Sequence, residues 1–146
     1  MKFLQGRYIP KNPDKYAGDI SKIVFRSSWE RKAMVFFDNN PNILKWGSEE
    51  TVVPYLSPVD GRMHRYFPDF TVLSRGSDGK MKRTMVEVKP AAQCEPPKQK
   101  KKTKRMIMEV STYLVNQAKW DAARAWCHIN GYEFMILTEK ELGIKK

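Results

Sequence analysis

Asp69, Glu87 and Lys89 are the residues whose types and spacing could do chemistry. Asp69 closes Tyr66-Phe67-Pro68-Asp69, ahead of Phe70, and Glu87-Val88-Lys89 closes a later run of strand composition. Side chains of a strand alternate between faces, so Glu87 and Lys89 point one way while Val86 and Val88 point the other and can be buried. A hairpin would bring Asp69 beside Glu87. Two adjacent carboxylates make a hard, oxygen-rich site that suits Mg²⁺, with Mn²⁺ as a substitute. Lys89 adds a positive charge where a phosphate and an attacking water would sit. That set could hydrolyse a phosphodiester. A plainer reading stands beside it: Asp69 as a strand-end ion-pair partner, Glu87 and Lys89 as cross-strand pairs on a solvated face.

The elements around these residues follow from local signals. Ser27 and Glu30 have the spacing of a capping box, which explains Glu30 without chemistry and opens a helix. Trp29, Ala33, Phe36 and Phe37 give that helix one apolar stripe, and Asn39-Asn40-Pro41 ends it. Thr51–Tyr55, His64–Leu73 and Arg83–Lys89 read as three strands in a meander, with Pro54 marking an edge and Ser57–Gly61 and Ser74–Lys80 as turns. A helix is expected from about Gln99 or Lys100 to Val115. Asn116 reads as a break and cap for a second helix over 117–129, stopped at Asn130-Gly131. Trp120, Ala123, Trp126 and Cys127 line one face of it. Phe134–Leu137 is wholly apolar, as a strand covered on both faces would be. A short helix follows over 139–142. The order is αβββαβ, an α/β fold with a mixed sheet flanked by helices.

At 146 residues the chain suits one domain. Residues 1–20 read as a loosely packed or partner-binding arm and 21–146 as the domain itself. Net charge is +11, a balance that favours a polyanion, with DNA as the leading partner. Lys98, Lys100, Lys101, Lys102, Lys104 and Arg105 concentrate positive charge in one short run, suited to the phosphate backbone or to a solvated face. Gln117 and Lys119, at the start of the expected second helix, are further phosphate or active-site candidates, since a helix N-terminus favours anions. The two cysteines, Cys94 and Cys127, lack metal-ligand spacing, so zinc is not expected, and a reducing compartment is the simplest setting. Neither a signal peptide nor a membrane span is legible, and no membrane partner is expected.

The αβββαβ order, with Pro68-Asp69 and Glu87-Val88-Lys89 on successive strands, resembles the PD-(D/E)XK nuclease superfamily. Six blocks narrow the resemblance: Arg26–Glu30, Trp46–Glu49, Arg65–Asp69, Val86–Pro90, Asn116–Trp120 and Phe134–Glu139. Together they are similar to head completion nucleases of large tailed phages and to TnsA-like transposase endonuclease subunits. A chain of this length has no room for the transposase subunit's second domain, which favours the phage group. The resemblance implies that Asp69, Glu87 and the Val88 carbonyl ligate the metal. It implies that Lys89 orients or helps deprotonate the water, and that Glu30 is a further acid for a second metal or its water shell. It also implies partners among phage head and neck assembly proteins, and a location in the infected host's cytoplasm and the virion.

Two functions compete. One is a metal-dependent DNA endonuclease with little base readout, for which the phage resemblance implies action on DNA ends late in head assembly. The other is a non-catalytic DNA-binding virion assembly protein that keeps the fold. The acidic pair discriminates, because two carboxylates facing DNA repel phosphate unless a metal bridges them. A basic RNA-binding domain is a weaker reading, since no RNA-recognition aromatic signature is present.

Overall fold

The computed structural model describes residues 5–98 and 101–144. Its central sheet has four strands: β3 (Ile43–Ser48), β6 (Phe70–Arg75), β7 (Met81–Val88) and β8 (Glu133–Leu137), in the order β3-β6-β7-β8. The first two pairings are antiparallel, and β7 with β8 is parallel. Helix α1 (Ser28–Asn39) precedes β3, and α2 (Lys104–Asn130) connects β7 to β8. The core order is therefore the expected αβββαβ, closed by the short helix α3 (Glu139–Leu142).

Alternation along β7 divides two cores. Val86 and Val88 join Trp29, Ala33, Met34 and Phe37 of α1 and Trp46 and Phe70 of the sheet. Met85 faces the other way, onto Trp120, Ala123 and Cys127 of α2. Glu87 shares that second face and is buried with it. Phe36, expected in the α1 stripe, is instead 56 % exposed, and Met34 takes the inward position.

The three core strands are not the three expected. Ile43–Ser48 is the first sheet strand, while β4 (Val53–Leu56) leaves the sheet and pairs only with β5 (Met63–Tyr66) in a separate ribbon. The expected strand His64–Leu73 is split by Phe67-Pro68-Asp69 into β5 and β6. Proline lacks the amide that an unbroken ladder needs, and the break lets the chain turn from ribbon to sheet. Strand β8 lies at an edge, and Met135 is 43 % exposed, so its apolar run is not covered on both faces.

Helix α2 runs unbroken through Asn116, which is buried inside it. Asparagine is only a weak helix former, and packing of Trp120, Ala123 and Cys127 on the sheet outweighs that local preference. The N-cap is Thr103, whose hydroxyl accepts the Met106 amide at 3.1 Å. The C-terminus is where the sequence puts it, at Gly131 with φ +76°.

The segment 5–20 is packed rather than loose. Gly6–Arg7 (β1) pairs with Val24–Phe25 (β2), and Tyr8 and Tyr16 are buried edge-on against Trp46. Asp38 at the end of α1 is the anchor. It accepts from Tyr8 Oη at 2.6 Å, the Lys11 amide at 2.7 Å and the Asn12 amide at 3.0 Å. Among the described residues no helix is long and apolar enough to cross a membrane.

Candidate active site

The site forms where β6 begins and β7 ends. Antiparallel pairing sets Phe70 opposite Val86, so Asp69, one residue before β6, meets the end of β7. The Val88 amide donates to Asp69 Oδ2 at 2.7 Å. A residue's amide and carbonyl point to the same side of a strand, so the Val88 carbonyl also faces the Asp69 side. The Lys89 amide turns the other way, to Leu137 O at 3.0 Å, and holds the strand end against β8.

The electrostatics of the acid pair are unfavourable as it stands. Burial lifts the Asp69 carboxyl well above the usual carboxylate range, the Glu87 charge adds to the rise, the Val88 amide opposes it, and Glu30 adds a further push. Burial raises Glu30 as well, against the Arg26 amide and guanidinium, with Glu49 and Glu87 adding to it. Neither Asp69 nor Glu87 has a salt-bridge partner among the described residues. Tyr66 is buried against them, and its hydroxyl is pushed far up by burial first, then by Glu87 and Asp69. Tyr66 Oη and Trp120 Nε1 lack a partner at full hydrogen-bond geometry among the described residues.

Two adjacent carboxylates, buried Glu87 and half-buried Asp69, with no salt bridge to either among the described residues and a strand carbonyl and an orphaned hydroxyl next to them, fit a hard divalent ion. Asp69, Glu87 and the Val88 carbonyl are the groups that could hold it. Glu30 adds to the negative charge around the pair, though no three Asp, Glu, His or Cys side chains converge on one metal position among the described residues. Its carboxylate accepts the Arg26 amide at 3.3 Å, while its own amide is capped by Ser27 Oγ at 3.1 Å. Only half of the capping box forms, since Glu30 does not reach back to the Ser27 amide.

Lys89 is half-buried on the Glu87 face. Lys119 joins the same site from α2. Its ammonium lies 5.7 Å from the Tyr66 ring centroid and 5.8 Å from that of Tyr55. Burial lowers its pKa, Glu87 opposes that, Lys89 lowers it further and Asp69 opposes. Lys119 and half-buried Gln117 lie mid-helix, so the expected anion site at a helix start is absent there. Lys98, Lys101, Lys102, Lys104 and Arg105 are exposed, with Arg105 paired to Glu109 at 3.1 Å. Lys104 is about 22 Å along the helix from Lys119, so the helical end of this run stands apart from Lys119. Lys100 lies outside the described residues.

Sequence reasoning missed the Arg26–Glu49 ion pair at the rim. Glu49 is the non-glycine residue with positive φ, +54°, among those described, and its amide donates to Asp69 O at 3.1 Å. Non-glycine residues in this conformation carry strain that the surroundings must hold. No local pattern announces it. Tyr66 was within reach of the pattern, two residues from buried His64-facing Tyr55 across the ribbon, but its partner on α2 was not.

Residues 40–139 match the family described as TnsA-like endonuclease N terminal. The chain belongs to the TnsA-like endonuclease family. It is also similar to the head completion nuclease of Enterobacteria phage T4, 37% identical over 148 residues that cover 96% of each chain. The TnsA-like match spans β3 through the start of α3, so it contains the acid pair, Lys89 and Lys119.

Proposed function

We propose that this TnsA-like protein is a metal-dependent DNA endonuclease with little sequence preference, acting on DNA in phage head completion. The observation that carries the reading is buried Glu87 with half-buried Asp69 beside it, Asp69 held by the Val88 amide at 2.7 Å and Lys89 on the same strand end as Glu87. Similarity to the phage T4 head completion nuclease supports the biological setting.

Asp69 and Glu87, with the Val88 carbonyl, bind the ion; Glu30 serves a second ion or its water shell. When bound, Mg²⁺ or Mn²⁺ neutralises the pair and polarises water and phosphate toward in-line displacement. Lys89 orients or helps deprotonate the attacking water, and as an ammonium it stabilises charge developing on the phosphate oxygens. Lys119, Gln117 and the run from Lys98 through Lys100, Lys101, Lys102 and Lys104 to Arg105 contact phosphates and position DNA without reading bases.

A pure DNA binder has no use for two unneutralised carboxylates facing phosphate, which argues against the non-catalytic alternative. The test is cleavage of supercoiled and linear DNA by wild type and Lys89→Ala in Mg²⁺, Mn²⁺ or chelator. Metal-dependent cutting by the wild type that vanishes in the variant is expected. Cutting that survives in Lys89→Ala would overturn the assigned site, and no cutting in any condition would favour the binding protein.

A further inference from the structure

We infer that the outward face of the β4–β5 ribbon binds unpaired bases of the DNA strand whose phosphate lies at Asp69 and Glu87; this rests on the nuclease reading above. The ribbon register pairs Pro54 with Arg65 and Leu56 with Met63. Tyr55 and Tyr66 point inward onto α2, so these pairs point outward. Val52, Leu56, Met63 and Phe67 are 41%, 60%, 63% and 40% exposed, an apolar strip where a ribbon at the surface would ordinarily be polar.

The strip leads into the site. Phe67 stands two residues before Asp69, so their Cα atoms are no more than about 7 Å apart. A strand with its phosphate at the acid pair thus has a neighbouring nucleotide within reach of the Phe67 end of the ribbon. The Arg65 guanidinium sits 5.8 Å from the Phe67 ring centroid, which makes an aromatic and cationic platform of the kind that stacks bases. Charge agrees: Arg62 and Arg65 are positive, and Asp60 at the turn is engaged by the Arg62 amide at 2.9 Å and by His64 at 2.7 Å. A paired duplex offers this face only phosphate and sugar edges, whereas unpaired bases offer apolar faces. A protein seated here would cover the approach to Asp69. The favoured substrates are then frayed ends and junctions with single-stranded DNA.

The test is fluorescence anisotropy in chelator with a single strand, a duplex with a mismatched end and a blunt duplex. Wild type is compared with Phe67→Ala and the double variant Leu56→Ser/Met63→Ser. The exposed double change is expected to leave the melting temperature within a few degrees. Wild type should prefer the two unpaired probes, and both variants should lose about tenfold on them with little change on blunt duplex. Equal losses on all probes, or no loss on any, would overturn the inference, the second pointing to a protein on this face. Duplex cleavage in metal is run in parallel. Cleavage without preference for unpaired DNA sinks the ribbon surface alone, whereas preference without cleavage upholds the surface and sinks the nuclease reading.

Discussion

Val88 and Asp69 are joined by a 2.7 Å hydrogen bond from the amide of one to the carboxylate of the other, across the ends of two neighbouring strands. The bond holds Asp69 beside Glu87 although burial and like charge both oppose its ionisation. Unfavourable electrostatics of this kind are what a divalent ion would relieve.

Asp69→Asn removes one of the two charges without changing shape. Cleavage should fall to the level of the chelated control. At a pH above the raised Asp69 value, metal-free DNA binding should tighten severalfold at low salt, because one repulsive charge near phosphate is worth about 1 kcal/mol in water. Parallel cleavage and binding titrations check both; unchanged binding and cleavage would remove Asp69 from the site.

The raised Asp69 pKa makes stability depend on pH in a defined direction. The native state holds its proton more tightly than the unfolded chain, so this contribution is complete below the ordinary Asp value of about 3.9. It is lost as pH rises through the elevated native value. In chelator, Asp69→Asn should therefore gain stability over wild type as pH rises through that window. Saturating Mg²⁺ should narrow the difference at neutral pH by stabilising the wild type. Thermal melts across a pH series, with and without metal, read it.

The triple change Lys101→Ala/Lys102→Ala/Lys104→Ala tests the basic run. Each lost phosphate contact should reduce the slope of log affinity against log salt by about 1, with affinity falling alike for all sequences. Rate at saturating DNA should be unaffected, since phosphate-backbone contacts position DNA without taking part in the chemistry. An unaltered salt slope would make the run a solvated face.

Asp38→Ala tests the anchor of the N-terminal segment. The change strands the buried Tyr8 hydroxyl and the Lys11 and Asn12 amides, at a cost of roughly 2–4 kcal/mol. Chemical denaturation measures it, and limited proteolysis should show cutting within residues 5–20 before the domain unfolds.

Much of the core was legible because its signals are local. The start of α1 follows from Ser27 and Glu30, its end from Pro41, and the end of α2 from Asn130-Gly131. The alternation Met85, Val86, Glu87, Val88 states which side chains share a face whatever the sheet does around them. Other features were decided by distant partners. Asn116 carries a local preference for a helix end, yet Trp120, Ala123 and Cys127 find a sheet to cover and the helix continues. Val53–Leu56 has strand composition, but composition does not name the partner strand, and it is the ribbon rather than the sheet that takes it.

The sequence by itself determined that two carboxylates and a lysine sit at strand ends with buried valines behind them, because a period of two is a property of any extended chain. Only the tertiary structure decided that Asp69 meets Glu87 through the Val88 amide, that Lys119 arrives from mid-helix over Tyr55 and Tyr66, and that Arg26 closes the rim with Glu49. Those contacts join residues far apart in sequence, and they form where sheet register and helix packing together place the side chains within reach.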